Sequence, residues 1–342
     1  MRRLIFALIA LVLLLIYPET ALNAVQGAAR AWAESVAPAM FPYLLLLPLL
    51  TCRESMRAYE RLLGRPLGAL FHLPGSAAPA IVIGMLAGSP AGAIAAARSG
   101  LDQKTRERIV CCVCGPGAGF LVSGIGGAML GDASKGVILL AAQLISQTAM
   151  LLATRGRSVS RESTTFPELE VSNGAADAVK TLLIVLGNMA MYALIAAILS
   201  QIIRRPAIGR GILCALDLPS GARALAAAKL SEGTRIVLLA AVCGWSGLCI
   251  IGQNLQACPV RRERMLAARF AHAIIMATAA AGILKWRANF AEGKNALAVS
   301  ALAAAILAVP ALFGLATALF LNKSAADEKH GKKRQKRMKT TT

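Results

Sequence analysis

Residues 181–203 read TLLIVLGNMAMYALIAAILSQII, twenty-three residues without a charged side chain and with Asn188 as the one amide before Gln201. A hydrocarbon layer about 30 Å thick is crossed by roughly 20 helical residues, so the run is long enough to span it. It carries no polar stripe at helical spacing and therefore needs apolar surroundings on every side. The runs Ile109 to Gly131, Ile236 to Val260 and Ala296 to Asn322 are equally free of charge. With 57% apolar and 16% charged residues and a mean hydropathy of +0.62, the chain reads as an all-α polytopic membrane protein.

The formal net charge is +20. In a soluble chain that balance would point to nucleic acid, but here the basic residues stand in short loops between apolar runs and in the tail Lys332-Lys333-Arg334-Gln335-Lys336-Arg337. Anionic lipid headgroups account for that placement, and no nucleic-acid partner is expected. Of the eight cysteines, Cys111, Cys112, Cys114, Cys243 and Cys249 lie inside apolar runs and lack the paired spacing of a zinc site. With three histidines, His72, His272 and His330, no metal set is assembled, and neither metal nor cofactor is expected. No Ser-His-Asp, Cys-His or paired-carboxylate set stands in the apolar runs, so the chain is not read as an enzyme.

Met1-Arg2-Arg3 followed by Leu4 to Tyr17 is read as a retained first span that Pro18 ends, rather than a cleaved leader. Further along come a span at Ser35 to Cys52, a Gly/Pro-broken stretch at Ser76 to Ala97, and spans at Ile109 to Leu130 and Gly136 to Thr154. After a polar linker the order recurs: a span at Thr181 to Ile203, a glycine-broken stretch at Ile236 to Asn254, and spans at Met265 to Leu284 and Ala296 to Leu321. Gly88 and Gly244 stand 156 residues apart, as do Arg106-Glu107-Arg108 and Arg262-Glu263-Arg264. This predicts two similar repeats, each with a Gly/Pro-broken or re-entrant hairpin and inverted relative to one another. The expected divisions are residues 1–34 (first helix and connector), 35–154 (first repeat), 155–180 (linker), 181–321 (second repeat) and 322–342 (basic disordered tail). Loop charges favour opposite orientations for the two halves, so absolute orientation stays open.

The breaks are the candidate site. Gly88-Ser89-Pro90-Ala91-Gly92 and Gly115-Pro116-Gly117 interrupt helix hydrogen bonding inside apolar runs. At membrane depth such backbone persists only where protein buries it or where it lines a polar cavity, so each break is read either as a tight helix contact or as part of a substrate cavity. The second-half break contributes Ser246 and Gly247, with Gln253 and Asn254 at its far edge, and Asn188 carries an amide inside the preceding span. Intramembrane amides serve either as ligands or as interhelical hydrogen-bonding groups.

Four words in order, Val36-Ala37-Pro38-Ala39-Met40-Phe41-Pro42-Tyr43, Gly88-Ser89-Pro90-Ala91-Gly92-Ala93, Leu216-Asp217-Leu218-Pro219-Ser220-Gly221 and Gly244-Trp245-Ser246-Gly247-Leu248 ending in Gln253, resemble the YlbJ-type (SpoVV) sporulation integral membrane proteins. The chain departs from that pattern at Val113-Cys114-Gly115-Pro116 and at Ile251. The resemblance implies nucleoside-recognition (gate) domains, a relationship to concentrative nucleoside transporters, and movement of dipicolinate across the outer forespore membrane. Carried over by position, Gly88, Pro90, Gly92, Gly115, Gly117, Gly247 and Gln253 would border the translocation site. The expected function is therefore transport or facilitated passage of a small organic anion. The alternative is a non-transporting membrane scaffold for spore formation, and self-association of the chain is left open. No GxxxxGK[ST] word is present, which points away from ATP coupling.

Overall fold

A computed structural model describes residues 2–156, 174–203 and 205–291. The expected span 296–321, the basic tail and most of the linker lie outside the described residues. By internal contacts the chain divides into residues 1–283 and 284–342, and of the second unit only the closing turns of one helix, 284–291, are described.

Among the described residues every regular element is helical. Helix α1 (Arg2–Ile16) stops at Tyr17, and α2 (Pro18–Ala31) starts on Pro18 at its first turn. Proline suits that position because its missing N–H would have no helical partner there. A π-helical turn, Trp32–Val36, joins α2 to α3 (Ala37–Thr51), so Pro18–Thr51 is one 34-residue helical segment rather than a connector followed by a span. Alanine-rich sequence of high helix propensity carries the helix through the expected boundary.

Helix α4 (Arg53–Phe71) ends on His72, whose φ of 51° turns the chain out of the helix. Across this corner Arg53–Phe71 and Gly75–Leu86 meet at 105°. Helix α5 (Ala78–Leu86) then packs against α6 (Ala91–Arg98), so the first break is a hairpin. Next come α7 (Gln103–Val113), a π-helical segment Phe120–Met129 and α8 (Ala133–Ala153). The expected single span at 109–130 is thus two helices, because Pro116 supplies no N–H and glycines flank it.

Helix α9 (Gly174–Ile203) begins inside the stretch expected to be linker, since Ala-Ala-Asp-Ala-Val-Lys continues the apolar helix toward its N-terminus. It packs on α2, α3 and α10 (Pro206–Leu216), and Trp32 donates its indole N–H to Leu182 O at 3.0 Å. Then follow α11 (Leu218–Ala226), α12 (Glu232–Trp245), α13 (Gly247–Ala257) and α14 (Arg262–Ala291). Helices α12 and α13 run on across Ser246 as one 26-residue apolar segment, so the second break is not a hairpin as expected.

Five helical segments among the described residues are long and apolar enough to cross a membrane: Pro18–Thr51, Ala133–Ala153, Gly174–Ile203, Glu232–Ala257 and Arg262–Asn289. Large apolar side chains such as Leu183, Ile184, Met191 and Ile202 on α9 face outward, where lipid would solvate them. Beside large side chains such as Ile81, Leu121 and Leu139, the interior holds many small residues, among them Ala77, Ala80, Ala93, Ala95 and Ala96, which let backbones approach closely.

Candidate functional site

The C-terminal end of α7 decides the site's architecture. Where that helix breaks, the carbonyls from Cys111 onward lose their regular helical N–H partners, Val113 O keeping a bond from Gly115 N at 3.0 Å, and buried carbonyls without partners cost several kcal/mol each in hydrocarbon. Side chains and backbone from four other elements supply donors. Arg269 Nη2 of α14 donates to Cys111 O at 2.5 Å, Gln147 Nε2 of α8 to Val113 O at 2.8 Å, and Asn254 Nδ2 of α13 to Cys114 O at 2.9 Å. Ser89 N, in the turn between α5 and α6, donates to Gly115 O at 2.7 Å, and Gln143 Nε2 of α8 donates to Pro116 O at 2.7 Å. Ser89 Oγ also donates to Asn254 Oδ1 at 2.7 Å, tying the first break to α13.

Glycines set how closely these backbones meet. Gly88 has φ 71°, and a Cβ there would collide with Gly117 N and stand 2.7 Å from Gly115 O. A Cβ on Gly117 would collide with Ala87 O, and one on Gly92 would lie 2.5 Å from Gly84 Cα. Gly115 faces Arg269 Nη1 and Gln143 Oε1, at 3.3 and 3.4 Å from its built Cβ. At the second break Ser246 (φ 72°) donates its hydroxyl to Cys243 O at 2.9 Å, and Gly247 (φ 71°) packs on Leu218 N. Gly244 lies against His272 O and Ala273.

Of the residues singled out from sequence, Gly88, Ser89, Gly115, Pro116, Gly117 and Asn254 meet directly at the α7 break. Pro90 opens α6 after a cis Ser89-Pro90 bond, and Gly92 sits in its first turn. Gln253 joins Ser89, Pro116 and Gly117 around a void of about 30 Å³, room for a single water. Ser246 reaches the cluster through Arg269 Nη1, at 3.5 Å, whereas Gly247 turns toward α11. Asn188 is half-buried on α9 and is not brought to the cluster.

Three residues here escaped the sequence reading, Gln143, Gln147 and Arg269, and His272 was weighed there only as a metal ligand. Arg269 is 2% exposed, and among the described residues no carboxylate pairs with it. It lies seven residues into α14, about 10 Å along the helix at 1.5 Å per residue. His272, one turn on, shares a 2.6 Å hydrogen bond between Nδ1 and Ser146 Oγ. Arg269 Nε, Gln143 Oε1, Gln147 Oε1 and His272 Nε2 are buried without a hydrogen-bond partner. The signal was legible: Gln143, Ser146 and Gln147 recur at i, i+3 and i+4 on α8, and Arg269 with His272 at i, i+3 on α14. Each is a polar face within a largely apolar stretch of its helix.

No family model matches the chain. The sporulation integral membrane protein YlbJ of Bacillus subtilis (strain 168) is 25% identical over 143 residues, covering 41% of this chain. The match covers 35% of YlbJ, so the chain spans about a third of the length of the curated relative it matches. The protein is thus similar in part to an integral membrane protein of sporulation, in keeping with the five candidate membrane-crossing segments among its described residues.

Proposed function

We propose that this chain is a membrane transporter or facilitator for a small organic anion, of the dipicolinate type, working in sporulation. One observation carries the reading: a guanidinium with no carboxylate partner among the described residues sits inside a membrane-length helix, where broken helices meet. Charges at such depth are expensive and mark ligand pathways more often than packing. Arginine's fork also suits a carboxylate. The partial similarity to YlbJ supports the sporulation setting.

The proposed plan is two inverted repeats, 35–154 and 181–321, behind an N-terminal helix. It is supported by the 156-residue spacing and by a helix break that precedes both α7 and α14. The continuation of α13 beyond Ser246, unlike the α5–α6 hairpin, makes the repeats unequal in detail. The bacterial cell membrane, and within sporulation the outer forespore membrane, is the proposed location, with the basic tail on anionic headgroups. The chain performs no chemistry in this reading.

A scaffold reading has one observation in its favour. The void between the breaks, about 30 Å³, is far below the 300–1,000 Å³ of ordinary ligand pockets, and the glycines around it touch backbone. Transport therefore requires the α5–α6 turn to separate from the α7 break, breaking the Ser89–Gly115 and Ser89–Asn254 bonds. Dipicolinate uptake by vesicles carrying the purified full chain tests the two. Saturable uptake supports transport, and folded protein that moves neither dipicolinate nor related carboxylates supports the scaffold.

A further inference from the structure

A second cavity, about 650 Å³, opens between α7, α8 and α14 and is lined by Lys104, Glu107, Arg108, Arg264, Cys111 and Met150 among others. Its charges are not equally available. Arg108 is committed to the fold, donating to Phe71 O at 2.6 Å, His72 O at 3.2 Å, Leu151 O at 2.9 Å and Thr154 Oγ1 at 3.0 Å. Glu107 is answered by Arg264 Nη1 at 2.7 Å and by Arg261 N at 2.9 Å. Lys104, in the first turn of α7, has no hydrogen bond or ion pair to its ammonium among the described residues. The lining therefore carries net positive charge, and Lys104, whose ammonium charge acts on the neighbouring Asp102 without a hydrogen bond or ion pair to it, is its least committed cation.

The cavity wall leads toward the buried guanidinium. Cys111 and Ala268 line it, Cys111 O accepts the 2.5 Å hydrogen bond from Arg269 Nη2, and Arg269 follows Ala268 directly on α14. Arg269 holds its other contacts loosely, Cys114 O at 3.4 Å and Ser246 Oγ at 3.5 Å, and its Nε has no partner. These are at the long limit of hydrogen bonding. On the other side of the α7 break lies the void of about 30 Å³.

We propose that this cavity is the entry vestibule for a small carboxylate, admitted between the first turns of α7 and α14, drawn in by Lys104 and received by Arg269. The inference rests on the organic-anion reading and adds the side from which the ligand enters. The cavity's volume suits such a ligand. A buried guanidinium with spare N–H donors gains most from a bidentate oxyanion.

The test is thiol labelling of the full chain in vesicles, with Met150→Cys as the target and its peptide read by mass. The probes are the anionic sulfonatoethyl and the cationic trimethylammonioethyl methanethiosulfonates, each normalised to its rate with a free thiol. At low salt the anionic reagent should react about tenfold faster, as expected for a charged cleft, and Lys104→Glu should abolish or reverse that preference. Isophthalate should slow labelling in the wild-type background but not in Arg269→Gln. No labelling, or labelling indifferent to reagent charge and to Lys104→Glu, overturns the vestibule, as does protection that survives Arg269→Gln in folded protein. Labelling needs no transport: charge-selected, isophthalate-protected reaction in a chain that takes up no carboxylate would sink the transport reading and keep the vestibule.

Discussion

Replacing Gly88 by alanine probes the contact between the first break and the α7 break. Two costs add. Gly88 has φ 71°, and a left-handed conformation costs an L-residue about 1–2 kcal/mol. The new Cβ would also stand among Gly117 N, Gly117 Cα and Gly115 O, all backbone atoms that cannot swing aside. Overpacking of that kind costs about 1–3 kcal/mol. The total for Gly88→Ala is then about 2–5 kcal/mol. Gly131→Ala separates the two, because Gly131 has φ 65° and nothing within 4 Å of its built Cβ. That variant should lose only the conformational part, about 1–2 kcal/mol. Unfolding of both variants in one detergent, followed by helical circular dichroism against denaturant, reads the difference. If Gly88→Ala were no less stable than Gly131→Ala, the two breaks would not be packed backbone to backbone and the architecture of the site would be wrong.

Asn254→Ala removes the bonds to Ser89 and Cys114 O, and at about 0.6 kcal/mol on average and up to about 1.7 for intramembrane hydrogen bonds it should cost roughly 1–3 kcal/mol. Asn188→Ala in the same unfolding assay should stay within about 0.5 kcal/mol, and equal losses would mean that Asn254 has no special place. Asp102 caps α7: burial acts to raise its pKa, but hydrogen bonds from Thr105 Oγ1, Thr105 N and Lys104 N outweigh it and hold the carboxyl below its ordinary 3.8. A depressed carboxylate contributes stability that is present above the unfolded pKa and is lost as pH falls through the folded one. Asp102→Ala should therefore cost about 0.5–2 kcal/mol at neutral pH, with the gap to wild type closing only under acid below 3.8. A gap that widened on acidification would refute the cap.

The helical membrane character was legible because an uninterrupted apolar run such as 181–203 has few other structures open to it. Breaks at Gly88–Pro90, Gly115–Gly117 and Ser246 were legible for a local reason, since proline lacks a donor and glycine adopts positive φ. Their geometry was not. Whether a break folds back, as between α5 and α6, or runs on, as between α12 and α13, depends on what each half-helix packs against. The partners of the freed α7 carbonyls were hidden for the same reason. Gln147 reaches Val113 from 34 residues away, Asn254 reaches Cys114 from 140 and Arg269 reaches Cys111 from 158. Attention to glycine and proline found the backbone that needs donors and passed over the polar faces of α8 and α14 that supply them.

The central claim, that an organic anion is carried past Arg269, is tested most directly by initial-rate dipicolinate uptake per folded molecule in vesicles, comparing wild type with Arg269→Gln and Arg269→Lys. Saturable wild-type uptake is predicted, with at least about a tenfold loss in Arg269→Gln, equivalent to about 1.4 kcal/mol, and partial recovery in Arg269→Lys. Uptake that is absent from folded wild type, or undiminished in Arg269→Gln, would contradict it.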